Sequence, residues 1–138
     1  MVAGAEERVG GGGVRAFSAT CVSAKVEAGV ASIALADAAD GPSSYLLLQR
    51  TLEPDERDRT LGLVGVYVEL DSQQRSGYGG VESIELDGAV LCVRLGVGTA
   101  ERAGASAIRV ALVCDEGELD VVRWHLQLIA GDNVALLM

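Results

Sequence analysis

Five carboxylates crowd one stretch of the chain: Glu53, Asp55, Glu56, Asp58 and, further on, Glu69, with Arg57 and Arg59 interleaved. A pair of carboxyl groups can cleave a glycosidic bond, but only when the two oppose each other across a cleft of roughly 5–9.5 Å. Nothing in the spacing sets these residues across a cleft. Alternating charge of this kind predicts a solvated loop laced with ion pairs. The segment Arg75–Gly80 (RSGYGG) looks like a phosphate-binding loop. Such a loop needs a strand before it and a helix after it, and the tighter versions add Lys-Ser/Thr. Here a strand follows, so Gly77 and Gly79 are expected to supply positive φ or close backbone approach in a bulge or turn.

Gln49-Arg50 and Arg75 form a third set. An arginine near a strand end can lock a loop through a bidentate carboxylate pair, with Asp58 or Glu69 as the expected partner. The same residues, with Tyr78, could instead line one ligand pocket. The fourth set is Trp124-His125. His125 is the only histidine, no GxSxG motif is present, and neither Cys92 nor Cys114 carries a nucleophile signature. General-base chemistry needs a partnered donor that the sequence does not offer. Cys21, Cys92 and Cys114 are odd in number and far apart. They lack the clustered spacing of a zinc site and are expected to be buried thiols in a reducing compartment. No catalytic residue, cofactor site or metal site is expected, and a binding function is favoured over an enzymatic one.

The elements that position these residues follow from hydrophobic period. Residues 16–26 and 30–35 are small and β-tolerant. ADAADGP then breaks the pattern at Gly41-Pro42. In 44–52, Tyr45, Leu47 and Gln49 share one face and Leu46, Leu48 and Arg50 the other, which predicts an inner strand. In 63–70, Val64, Val66, Val68 and Leu70 point one way and Tyr67 and Glu69 the other. Residues 72–80 are expected as a polar connection opening after Gly62 and the 63–70 strand. A hairpin is expected over 81–86 and 89–95 about Asp87-Gly88, pairing Leu86 with Ala89 and Ile84 with Leu91. A single helical turn is expected near 100–103, and a strand over 108–114.

The strongest element is a helix over 116–130. Asp115 and Glu118 stand at capping-box spacing. Leu119, Val122, Leu126 and Ile129 form a stripe, and Gly131 supplies a left-handed stop. DNVALLM is expected to form a last strand or to contact a neighbouring chain. These elements predict an α+β fold: a mostly antiparallel sheet of about six strands with the C-terminal amphipathic helix packed on one face. Residues 1–13 are expected as a flexible glycine-rich lead-in, and 14–138 as one domain.

The chain has 138 residues, 49 % hydrophobic and only 4 % aromatic, so its core must be aliphatic. Net charge is −9, which argues against nucleic acid and anionic membranes and favours a basic partner. The N-terminus lacks a secretory pattern and no window suits a membrane span, so a cytoplasmic location is expected.

Several blocks in order resemble the immunity protein ten family of bacterial polymorphic toxin systems. They are Tyr45–Arg50 (YLLLQR), Asp58 with Leu61-Gly62, Gly65–Glu69 (GVYVE), Arg75–Gly80 (RSGYGG) and the IELDG hairpin. The resemblance covers about residues 17–130, with its specific text in Tyr45–Gly88. It implies a β-rich fold and a role rather than a reaction: neutralising a cognate toxin by binding, with no cofactor and no catalytic residue. An acidic binder is suited to plug a basic cleft, such as that of a nuclease, with carboxylates standing in for phosphate. The candidate contacts are Asp55, Glu56, Asp58, Glu69 and Tyr78. Gln49, Arg50, Gly62, Arg75, Gly77 and Gly79 are candidates for structural roles. The alternative is a non-catalytic accessory module that self-associates, for instance as a homodimer through the C-terminal tail.

Overall fold

A computed structural model describes residues 13–138. The expected lead-in falls outside the described residues except for Gly13. The described chain is α+β, with ten strands in two mostly antiparallel sheets and three helices. The strands are β1 (Val14–Ala19), β2 (Cys21–Glu27), β3 (Val30–Ala36), β4 (Tyr45–Thr51), β5 (Tyr67–Leu70), β6 (Ser72–Tyr78), β7 (Val81–Asp87), β8 (Val90–Leu95), β9 (Ala107–Leu112) and β10 (Ala135–Leu137). The helices are α1 (Glu56–Thr60), α2 (Val97–Ala103) and α3 (Glu116–Ala130). One sheet runs β1-β9-β8-β7-β10, with β1 parallel to β9 and β10 parallel to β7. The other runs β2-β3-β4-β5-β6 and is antiparallel throughout.

The class matches the expectation, while the strand count and the second sheet do not. Residues 16–26 read as one run, yet Thr20 alone separates β1 from β2 and moves the chain from one sheet to the other. Residues 72–80 are mostly strand rather than a connection, because backbone pairing with β5 compensates for their poor intrinsic preference. Gln73, Gln74 and Arg75 bulge outward, since Ser76 faces Glu69 while Ser72 faces Leu70. The β7–β8 turn is Gly88-Ala89, one residue later than expected. Asp87 pairs with Val90, so Leu86 faces Leu91 and Ile84 faces Val93. Positive φ falls on Gly88 (+60°) and not on Asp87, the pattern of a II′ turn. The parity of the buried face survives the shift.

Aliphatic side chains from both sheets meet in one core. On the second sheet Leu35 opposes Leu46, Ile33 opposes Leu48, and Leu48 opposes Val68, all essentially inaccessible. On the first, Leu91 opposes Val110 and Val93 opposes Ile108. The α3 stripe Leu119, Val122, Leu126 and Ile129 is buried, and the helix packs on β2, β3 and β4. Burying each large aliphatic side chain stabilises the fold by about 1.5–3 kcal/mol. Asp115 and Glu118 complete the expected capping box. Gly131 has φ +55° but ψ −140°, so it ends α3 outside the left-handed helical well. The tail forms edge strand β10. Cys21, Cys92 and Cys114 are half-buried rather than buried: Cys21 and Cys92 lie on outward sheet faces, and Cys114, past the end of β9, packs only on the margin of the core.

Candidate functional site

Strand register assembles the outward face of the second sheet into rows. One row reads Lys25, Ser32, Gln49, Tyr67, Tyr78. The next reads Ser23, Ala34, Leu47, Glu69, Ser76, and a third begins Cys21, Ala36, Tyr45. Three tyrosines therefore share a face with one buried carboxylate. Glu69 is only 7 % exposed. Tyr45 donates its hydroxyl proton to Glu69 Oε2 and Tyr67 donates to Oε1, both at 2.5 Å. Tyr78 packs on Tyr67 with ring centroids 5.0 Å apart. Burial, then the Glu69 hydrogen bond and charge, push the Tyr45 hydroxyl up to about 12. Burial and Glu69 also raise Tyr67. Both hydroxyls thus stay protonated donors at neutral pH.

Beside Tyr45 and Glu69 the face opens into a groove of about 600 Å³. Small side chains form its floor: Cys21, Ser23, Ala34 and Ala36. Pro42 and its neighbours 38–39 wall one side, and Glu118 from the first turn of α3 reaches the rim.

The expected contacts divide into two groups. Asp55, Glu56 and Asp58 lie together on α1. Asp55 caps the helix, accepting from the Asp58 N–H at 2.8 Å, and Asp58 accepts from the Asp55 N–H at 3.0 Å. Asp55 and Glu56 remain exposed and Asp58 half-buried. The expected ion pairs with Arg57 and Arg59 do not form among the described residues, since two of the carboxylates serve the capping box instead. Glu69 and Tyr78 lie on the tyrosine face, Glu69 buried and Tyr78 exposed.

The arginines take other partners than expected. Arg50 pairs with neither Asp58 nor Glu69. It reaches the C-terminal end of α3, donating to the Ile129 carbonyl at 3.5 Å, and its guanidinium fills the space a Cβ at Gly131 would occupy. A cation there also suits the negative end of the helix. Arg75 lies 3.9 Å from Asp71. Gln49 donates to Ser32 Oγ at 3.5 Å. Gln49, Arg50 and Tyr78 share a small cavity of about 70 Å³ with Tyr67, but Glu69 lines a different groove and Arg75 lines neither, so the five do not form one pocket. Gly62 and Gly79 have φ of +74° and +72°, whereas Gly77 admits close approach by Arg102. His125 is buried with Nδ1 2.8 Å from the Val121 carbonyl, which places a proton on Nδ1.

Sequence reasoning did not single out Tyr45 and Tyr67, although their strand faces were legible. It also missed Asp71, which turns the chain between β5 and β6 with φ +65°. Its carboxylate accepts from the Tyr45 N–H at 3.0 Å and from Arg15 of the other sheet at 3.2 Å, tying the two sheets together. Among the described residues no three His, Cys, Asp or Glu side chains gather to hold a metal, and no helix is long and apolar enough to cross a membrane.

The described residues thus form a β-rich scaffold that displays tyrosines and acidic groups on one sheet face. The model of the Immunity protein 10 family matches residues 17–120, and the chain belongs to that family. None of the curated proteins compared with the chain matches it. The match covers every strand of the tyrosine-bearing sheet and runs from the second half of β1 to the first turn of α3, leaving edge strand β10 outside it. Membership implies a protein partner.

Proposed function

We propose that this protein binds and neutralises a cognate bacterial polymorphic toxin inside the cytoplasm of the cell that makes both. The observation that carries the reading is the family match over residues 17–120. The charge of −9 supports a partner with a basic surface, such as a nuclease, and would speed encounter. Binding alone accounts for protection, so no cofactor and no turnover are required. Residues 14–138 act as one domain in this reading.

The tyrosine face of the second sheet is the proposed contact surface. Tyrosines anchor interfaces because they bury large area at little entropic cost. Tyr78 and Tyr67 supply that area. Asp55 at the N-cap of α1 and Glu56 and Asp58 in the helix supply electrostatic guidance. Co-expression with the toxin domain encoded beside this chain is expected to rescue growth, and the two proteins are expected to co-purify. Failure of both rescue and co-purification would end this reading.

A second reading has its own observation. On edge strand β10, Leu137 is 62 % exposed, and Met138 beside it is 55 % exposed. An accessory module pairing with a second copy would cover them. Light scattering of the chain and of Leu137→Lys separates the cases: a dimer that becomes a monomer supports self-association, and an unchanged mass removes it.

A further inference from the structure

We infer that the groove beside Glu69 receives an arginine side chain of the protein partner, with the Glu69 carboxylate as its counter-ion. This deepens the toxin-binding reading and rests on it for the partner's identity. Glu69 is buried, and both of its oxygens accept a tyrosine proton, yet no cation of the described residues lies within ion-pair distance of it. Lys25, the cation on the same face, is engaged by Glu27 at 3.1 Å. Arg15 and Arg75 turn to Asp71. A carboxylate taken from water gains most from a cation, because attraction is stronger where the dielectric is low. Each oxygen keeps acceptor capacity beyond its one tyrosine bond.

The groove suits a guanidinium. Its only charged lining residues are Glu69 and Glu118, both negative. Its floor of alanine, serine and cysteine leaves the aliphatic stem of a long side chain room to lie flat. Tyr45, which lines the groove, adds an aromatic side chain beside the carboxylate. Arginine fits better than lysine, being planar, weakly hydrated and permanently charged. The two tyrosine hydroxyls already hold the carboxylate in place, so little ordering remains to be done on binding.

The test titrates the full chain with N-acetylarginine amide and, in parallel, with its neutral isostere N-acetylcitrulline amide, followed by NMR. Saturable shifts are expected at Ala34, Tyr45 and Glu69 with the arginine compound, at least about tenfold weaker with citrulline. They should be lost in Glu69→Gln. They should also be lost in Ala34→Trp, which fills the groove from an exposed position and keeps the test decisive if Glu69→Gln does not fold. Against the toxin domain encoded beside this chain, Glu69→Gln is expected to weaken binding by about tenfold or more. Glu101→Gln, exposed on α2, should not change it. Equal responses to arginine and citrulline, no response to arginine, or unchanged toxin affinity in both groove variants would overturn the inference. Binding of the arginine compound without any binding of the toxin domain would instead sink the functional reading and leave the groove intact.

Discussion

Replacing Tyr45 by Phe should change how stability responds to alkali more than any other single substitution on the sheet. The Tyr45 hydroxyl is pushed from 10.0 to about 12, first by burial and then by Glu69. Its folded value lies above its unfolded one, so the native state keeps this proton over a range where the unfolded chain loses it. The stabilisation is therefore complete below about pH 10 and is lost as pH climbs towards about 12. A rise of that size corresponds to at most about 2.7 kcal/mol, and partial exposure of the side chain reduces this to about 2 kcal/mol. Urea unfolding at about pH 8, 10 and 11.5 measures it directly. The parent protein should lose stability steeply over the upper interval. Tyr45→Phe, already weaker at pH 8 by about 1.5–3 kcal/mol for the lost bond to a charged acceptor, should lose markedly less there. Tyrosines, lysines and thiols ordinarily titrate over the same range, and the chain also carries Tyr67, Tyr78, Lys25 and three cysteines, so the difference between the two proteins, and not the loss in either alone, reports on Tyr45. Parallel losses in the two proteins would refute the coupling of Tyr45 to buried Glu69.

Three further outcomes follow from local geometry. Ala28 precedes Gly29 in the β2–β3 turn with φ +52°, a conformation that asparagine tolerates better, so Ala28→Asn should stabilise the protein by about 0.5–1 kcal/mol in urea unfolding. Asp71→Asn keeps the turn but removes the charge that Arg15 meets, which should cost about 1 kcal/mol and remove a salt-dependent part of the stability. A Cβ at Gly80 would overlap the Thr99 side chain, so Gly80→Ala should destabilise by about 1–3 kcal/mol, and adding Thr99→Ala should recover much of that in a double-mutant cycle.

The parts of this structure that rest on neighbours in sequence were legible before any coordinates. The α3 capping box, its buried stripe and the strand parities of 45–51 and 67–70 all follow from spacings within one element. What depended on distant partners was not legible. Thr20 carries no special chemistry, yet the chain changes sheets there. The polar text of β6 reads as a connection because its strand character comes from pairing with β5. The five residues of α1 are too short for a periodic signal. Tyr45, Tyr67 and Glu69 were each placed on a face, but only strand register brings the two tyrosines onto one carboxylate. Arg50 was read as a carboxylate partner, whereas α3, about 80 residues later in the chain, presents its carbonyl end to it.

Hydroxyl-radical footprinting of the chain, alone and with the proposed toxin partner, bears most directly on the binding surface. Tyr78 is 37 % exposed on the sheet face, and Trp124 is 56 % exposed on α3, which packs on β2, β3 and β4 through its other side. Complex formation should shield Tyr67 and Tyr78 from oxidation and leave Trp124 as reactive as before. Shielding of Trp124 with unchanged tyrosines would place the partner on the opposite side of the molecule and contradict the account.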